Sequence, residues 1–148
     1  MRRSSKPARK IAVALTKGGT GKSTTAVNLA AGLARAGRRV LLVDTDTQGQ
    51  DGLMLGVSPE VGLAQFVEGE VGADEAVVEV RENLYLLAGD HTLAGLKRTI
   101  VLREFGSEKV LSEALAPLEG AYDYILLDSS PGWDPLTVNV LFYVEEIL

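Results

Sequence analysis

The chain of 148 residues contains no cysteine. Disulfides, a thiolate nucleophile, an iron–sulfur cluster and any cysteine-based zinc site are therefore excluded. Its single histidine, His91, has no metal-like partner in the pattern around it and reads as surface at a helix N-terminus. No apolar run is long enough to cross a bilayer. The basic start leads straight into a short strand-like segment, not into the apolar stretch and small-residue cleavage site of a secretory signal. These absences predict a cytoplasmic address. Internal repeats and low-complexity segments are also lacking. What remains is ordinary for an α/β protein, 46% hydrophobic and 24% charged, with the length of one domain and enough chain to bury a core.

Charge is unevenly placed. The net charge is −5, yet the first ten residues carry Arg2, Arg3, Lys6, Arg9 and Lys10, leaving ten Lys/Arg against twenty Asp/Glu in the rest. Residues 1–9 read as a basic, disordered tail and 10–148 as the folded domain. Such a tail can touch nucleic acid or an acidic membrane surface, or can simply solubilise the chain.

Hydrophobic periodicity supplies the elements. Residues 10–15 predict a buried strand, and 22–36 a helix with Ala26, Leu29, Ala30, Leu33 and Ala34 on one side, stopped by Gly37. Val40-Leu41-Leu42-Val43 is a second continuous apolar strand, completing a βαβ unit of a parallel sheet. Residues 44–59 read as a functional loop with a short helix near Leu53 to Leu55. Short helices are expected over 61–68 and 73–80, although Val77, Val78 and Val80 suit a strand equally. A strand follows at 84–88, helices at 91–104 and 107–117, a strand at 122–128, and a last helix from Pro135 to Glu146. Met54 and Leu55 read as minor core, and Trp133 as loop packing in a switch-like segment.

The organising stretch is Lys17-Gly18-Gly19-Thr20-Gly21-Lys22-Ser23-Thr24, between the first strand and the first helix. Three glycines in four positions let backbone N–H groups converge on one anion, and the following helix adds its positive dipole end. A plain glycine-rich linker has no reason to place Lys-Ser-Thr after its last glycine. Lys22 is therefore expected on the β and γ oxygens of a nucleotide and Ser23 on Mg²⁺. Two acidic sites complete the chemistry. Ile125-Leu126-Leu127-Asp128 is an apolar strand ending in a carboxylate, as in a Walker B element. Asp44 and Asp46 leave the second strand two residues apart. If the strand persists they share a face and suit a metal-bound water and a hydrolytic water. An Asx-rich turn capping the strand is the equal alternative.

The glycine-rich stretch resembles the deviant Walker A of the ParA/MinD ATPases, which carries an extra lysine before the paired glycines. Val43-Asp44-Thr45-Asp46-Thr47-Gln48 resembles that family's Val-Asp-x-Asp-Pro-Gln segment. Asp128-Ser129-Ser130-Pro131, followed by Leu136-Thr137-Val138-Asn139-Val140-Leu141, is similar to its Asp-x-Pro-Pro switch and ensuing helix. Asn83-Leu84-Tyr85-Leu86-Leu87 resembles a strand of the partition branch. The match runs in order over nearly the whole chain.

This resemblance implies a P-loop NTPase fold, a mostly parallel sheet with helices on both faces. It also implies further strands beyond Leu148, so the expectation is a truncated form with the C-terminal strands missing. Lys17 would be the signature lysine that reaches a partner subunit's phosphates. Lys22 would bind phosphate in its own subunit, Ser23 would hold Mg²⁺, and Asp46 would orient the attacking water. Asp44 and Asp128 would act on Mg²⁺ directly or through its waters, with Gln48 in a lesser role. Thr47 and Ser130 stand where the family has proline, which loosens a switch loop because proline fixes φ. The function implied is a slow ATPase using ATP and Mg²⁺, with an ATP-dependent homodimer, a ParB-like activator and non-specific DNA as partners in chromosome or plasmid partition. Nucleoid association is implied and a membrane partner is not. Alternatives are a MinD-like positioning ATPase, an ATP-dependent metabolic ligase or synthase on the same fold, and a nucleotide-binding module without turnover.

Overall fold

The computed structural model describes residues 6–14, 21–130 and 132–148. Among them, six strands form one sheet in the order β3-β4-β2-β5-β1-β6. At its centre are the three apolar runs, β1 (Arg9–Val13), β2 (Val40–Asp44) and β5 (Tyr124–Asp128), all parallel. Successive residues of a strand point to opposite faces, so an unbroken apolar run needs cover on both sides. Both covers are present. Ile11, Val13, Val40, Leu42 and Leu126 pack beneath Ala26, Val27, Ala30 and Ala34 of α1 (Lys22–Arg35) and beneath Leu55 of α2 (Gln50–Leu55). The alternate residues Ala12, Leu41, Val43, Ile125 and Leu127 pack on the other face. There they meet α3 (Leu63–Val67), α5 (Leu93–Leu102), α6 (Val110–Leu115) and α7 (Pro135–Tyr143).

The predicted α1 stripe needs one adjustment. Ala26, Ala30 and Ala34 are buried as expected, joined by Val27, while Leu29 and Leu33 lie half-buried along the margin. Three alanines where the helix crosses the sheet allow close approach.

Two elements differ from the expected pattern. Residues 73–80 are not one helix: α4 (Ala73–Ala76) is a single turn, and Val77 opens β3 (Val77–Arg81), antiparallel to β4 (Leu84–Leu87). The connection is Glu82-Asn83, and Asn83 takes a positive φ of 65°, a conformation its short polar side chain tolerates. The final helix also stops early, at Tyr143. The chain turns extended at Val144, and β6 (Glu146–Ile147) pairs parallel with the outer edge of β1. Backbone bonds from Glu145 N to Lys10 O and from Leu148 N to Ala12 O satisfy that edge. Arg9 adds a bidentate pair to Glu146, at 2.9 and 2.7 Å. Ala8, which is buried, and Arg9, which opens β1, both lie within the stretch read as tail. Lys10 pairs with Glu119 and Glu145, so Arg9 and Lys10 both face acids of the body.

α7 is tied to the neighbouring turn by buried Asn139. Its Oδ1 accepts from Leu111 N at 3.0 Å, and its Nδ2 donates to the carbonyls of Ser107 and Pro135. This anchors the helix that follows the Asp128 strand and so fixes one wall of the region beyond it.

Candidate functional site

The carboxyl ends of β1, β2 and β5 lie side by side, where open α/β sheets bind their ligands. Parallel pairing puts Asp128 opposite both Val13 and Asp44. Thr45 locks this arrangement: its N–H and its hydroxyl both donate to the carbonyl of Asp128 at 2.9 Å. Ser129 ties the other side, donating from Oγ to Val13 O at 3.1 Å. Asp44 and Asp128 are each 0% exposed.

α1 begins beside these acids. Gly21, at φ +80°, caps it in the left-handed region that glycine adopts without strain. Lys22 is the first helical residue, buried, and its Nζ forms an ion pair with Asp128 Oδ1. Ser23 is half-buried and Thr24 exposed. The expected cradle residues Lys17, Gly18, Gly19 and Thr20 lie outside the described residues, as does Pro131.

Asp46 is where the two readings of the acid pair separate. β2 ends at Asp44, so the strand does not persist and the two acids do not share a strand face. Instead Asp46 N donates to Asp44 Oδ1, and Gln48 N donates to Asp46 Oδ1, both at 3.0 Å. This is the Asx-rich turn. It leaves Asp46 half-buried and Gln48 exposed, while Asp44 is fully buried.

The buried group has a member that the sequence reading missed. Asp51, in the first turn of α2, is 0% exposed, and its N–H donates to Asp44 Oδ2 at 3.2 Å. One carboxylate oxygen from each of Asp44, Asp51 and Asp128 lies within 4.8 Å of the others. Burial pushes the Asp44 carboxyl up to about 7, against the backbone N–H groups of Asp46 and Asp51 and with the charge of Asp128 adding to the rise. Burial, then the facing Asp128 carboxyl, pushes Asp51 up further. Among the described residues no oriented hydrogen bond reaches either Asp51 oxygen or Asp128 Oδ2. No local signal marked Asp51; a lone acid between two glycines reads as loop.

The walls explain two glycines. A Cβ on Gly89, just past β4, would stand 2.4 Å from Asp44 O and 2.8 Å from Asp46 O. Gly89→Ala is therefore expected to push the acid-bearing turn outward and cost about 1–3 kcal/mol. Thermal unfolding and nucleotide affinity measured together check this, and an unchanged affinity would show that the turn can move without consequence. Gly49, at φ +63°, caps α2 against Gly89.

The segment after Asp128 is held by side chains. Ser130 Oγ donates to Asp134 Oδ2 at 3.0 Å, Asp134 Oδ1 accepts from Thr137 N at 2.8 Å as the cap of α7, and Lys97 pairs with Asp134 at 2.9 Å. Burial opposes ionisation of Asp134, but the Thr137 N–H and Lys97 outweigh it and hold the carboxyl below its ordinary value. The serine at the proline position thus restrains the turn through a hydroxyl. Trp133 is not loop packing: it is 83% exposed, at the rim of a cavity lined by Ala14, Ser129, Ser130 and Thr137. Met54 is likewise exposed, whereas Leu55 is core. His91 is exposed two residues before α5.

Comparison with known proteins shows the family and the fold. A profile of the AAA domain family matches residues 8–148. The chain is 44% identical over 140 residues to the chromosome-partitioning ATPase Soj of Thermus thermophilus, covering 95% of this chain and 53% of that protein. A cobyrinic acid a,c-diamide synthase from Mycobacterium smegmatis, solved with a bound ATP analogue and magnesium, superposes with a TM-score of 0.88 at 37% identity. That match covers 95% of this chain and 58% of the other. A plasmid partition protein from Borrelia burgdorferi gives 0.84 at 28% identity, over 96% and 64% of the two chains. The chain spans about half the length of the curated relatives it matches.

Proposed function

We propose that this chain, which belongs to the AAA domain family and within it to the ParA/MinD-type ATPases, binds Mg-ATP and hydrolyses it slowly as a dimerisation switch in DNA partition. The observation that carries the reading is the meeting of Lys22, Asp44 and Asp128 at one end of the sheet, at the glycine-capped start of α1. The donor set suits magnesium: hard oxygen ligands, with Asp128 Oδ2 buried and lacking a hydrogen-bond donor among the described residues. Ser23, Asp44 and Asp128 would hold the ion, which when bound supplies positive charge beside the phosphates.

The chain's own residues supply the rest. The N–H groups of residues 17–24 would cradle phosphate. Lys22, now neutralising Asp128, would transfer its charge to the phosphate oxygens as negative charge develops there. Asp46, half-buried and outside the carboxylate cluster, would accept a hydrogen bond from an attacking water. Lys17 supplied by a second copy would make turnover depend on dimerisation, so that ATP joins two subunits and hydrolysis separates them. A ParB-like activator would accelerate that step. Contact with non-specific DNA would come from the basic start of the chain or from a patch formed in the dimer. The corresponding address is the cytoplasm, at the nucleoid. Among the described residues no helix is long and apolar enough to cross a membrane.

The synthase on the same fold is the second reading, and one assay separates the two. Purified protein with Mg-ATP and no acceptor substrate is expected to bind nucleotide and release phosphate slowly. Asp46→Ala should keep nucleotide affinity within about threefold and lower phosphate release by tenfold or more. Binding without phosphate release would favour the synthase or a non-hydrolysing module, and absence of Mg-ATP binding would overturn the proposal.

A further inference from the structure

Asp51 has no part in the function just proposed, yet it is the residue whose placement is hardest to account for without a ligand. It is 0% exposed, and apart from the facing Asp128 carboxyl no donor among the described residues reaches either of its oxygens. An ionised carboxylate buried without donors costs several kcal/mol relative to water, which is why burial pushes Asp51 up, and nothing about α2 requires an acid there. The backbone of Asp51 already caps the site through its N–H to Asp44 Oδ2, a bond that any residue but proline makes. The side chain is thus an extra acceptor aimed at the point where Asp44 and Asp128 already aim.

Geometry and charge agree on what fits. The separation of the three oxygens, within 4.8 Å, is no wider than that of opposite ligands around an ion with metal–oxygen bonds of about 2.4 Å. Lys22 occupies Asp128 Oδ1 and leaves Oδ2 without a described partner. With all three carboxyls ionised, they and the Lys22 ammonium carry two net negative charges, which a single divalent cation neutralises in place of the protons that burial favours. An all-oxygen donor set selects Mg²⁺, Mn²⁺ or Ca²⁺ over softer ions.

We propose that Asp44, Asp51 and Asp128 form a divalent-cation site that fills in the absence of nucleotide, with Asp51 as the ligand that sets it apart from the ion carried in with ATP. The site ties α2 to the ends of β2 and β5 before any phosphate arrives, so the acid-bearing turn is in place when nucleotide binds. It shares Asp44 and Asp128 with the proposed ATPase site and otherwise does not rest on hydrolysis.

The test uses the full chain without nucleotide and Mn²⁺ as the probe, followed by loss of the free-ion electron paramagnetic resonance signal. One Mn²⁺ per chain is expected, retained in Ser23→Ala and weakened at least tenfold in Asp51→Asn. Mn²⁺ or Mg²⁺ should raise the melting temperature of the wild type and leave that of Asp51→Asn unmoved. Asp51→Ser provides the same comparison if the asparagine variant fails to fold. Wild type that binds no Mn²⁺ without nucleotide, or position-51 variants that bind it as tightly, would overturn the inference. Mg-ATP affinity measured on the same samples keeps the questions apart. Intact Mg-ATP binding with no nucleotide-free Mn²⁺ binding sinks this site alone, and loss of Mg-ATP binding sinks the ATPase reading.

Discussion

Lys22→Gln is expected to abolish Mg-ATP binding and, separately, to destabilise the protein when no nucleotide is present. Both effects come from the same buried ammonium. It is 8% exposed and is paired with Asp128, which is 0% exposed and stands beside Asp44 and Asp51. Removing one partner of a buried ion pair costs about 3–5 kcal/mol, because the remaining charge is left without compensation. Here the remainder is a fully buried carboxylate beside two further acids, so a loss within that range is expected. For a chain of this size that corresponds to a fall in melting temperature of roughly 10 °C. A second substitution separates stability from binding. Asp128→Asn in the Lys22→Gln background removes the orphaned charge and should recover much of the lost stability while leaving ATP binding absent. Thermal unfolding and calorimetric titration on the four proteins of the double-mutant cycle provide the check. If Lys22→Gln melts and binds like the wild type, the ion pair has neither role.

The parts of this site that could be read from the sequence are those whose constraint is local. An apolar run covered on both faces has no periodicity to misread, so β1, β2 and β5 stand out. The acids at the ends of two of them, Asp44 and Asp128, come with their strands. Gly21 and Lys22 are legible because a helix start after a glycine-rich turn is a property of neighbouring residues. Asp51 is the reverse case. Its N–H donates to Asp44 Oδ2 seven residues back, and α2 is held down through Leu55, which shares a core cluster with Leu86 of β4, a strand that no short window around Asp51 contains. β3 was ambiguous for a physical reason too: Val77, Val78 and Val80 fit both periods, and an edge strand with only partly buried residues is selected by its partner β4. At β6, the apolar pattern of α7 continues past Tyr143, but the unsatisfied edge of β1 competes for the backbone and wins.

The pH dependence of stability should run against the usual direction, and the carboxylate cluster is the cause. Unfolded Asp titrates near 3.9, whereas burial raises Asp44 to about 7 and Asp51 further. The folded state therefore binds more protons than the unfolded chain across this window, and stability falls as pH rises, by about 1.4 kcal/mol per pH unit for each proton difference. Two groups contribute from about pH 4 to 7, and Asp51 alone continues above that. Asp134 and Glu146 act oppositely: their folded values are lowered, so their contribution is present above the ordinary carboxylate range and is lost as pH falls through the folded value. The two sets place the stability maximum of the nucleotide-free protein in mildly acidic solution. Denaturant unfolding without divalent cations at pH 4.5, 5.5, 6.5 and 7.5 should give a declining series. Asp51→Asn removes one of the two protons and should reduce the slope by about half. A flat or rising series for the wild type would mean that the three acids are already neutralised in the folded state by groups other than protons and Lys22. Saturating Mg²⁺ should flatten the wild-type slope, because an ion that holds these carboxylates ionised takes the place of the protons they would otherwise bind.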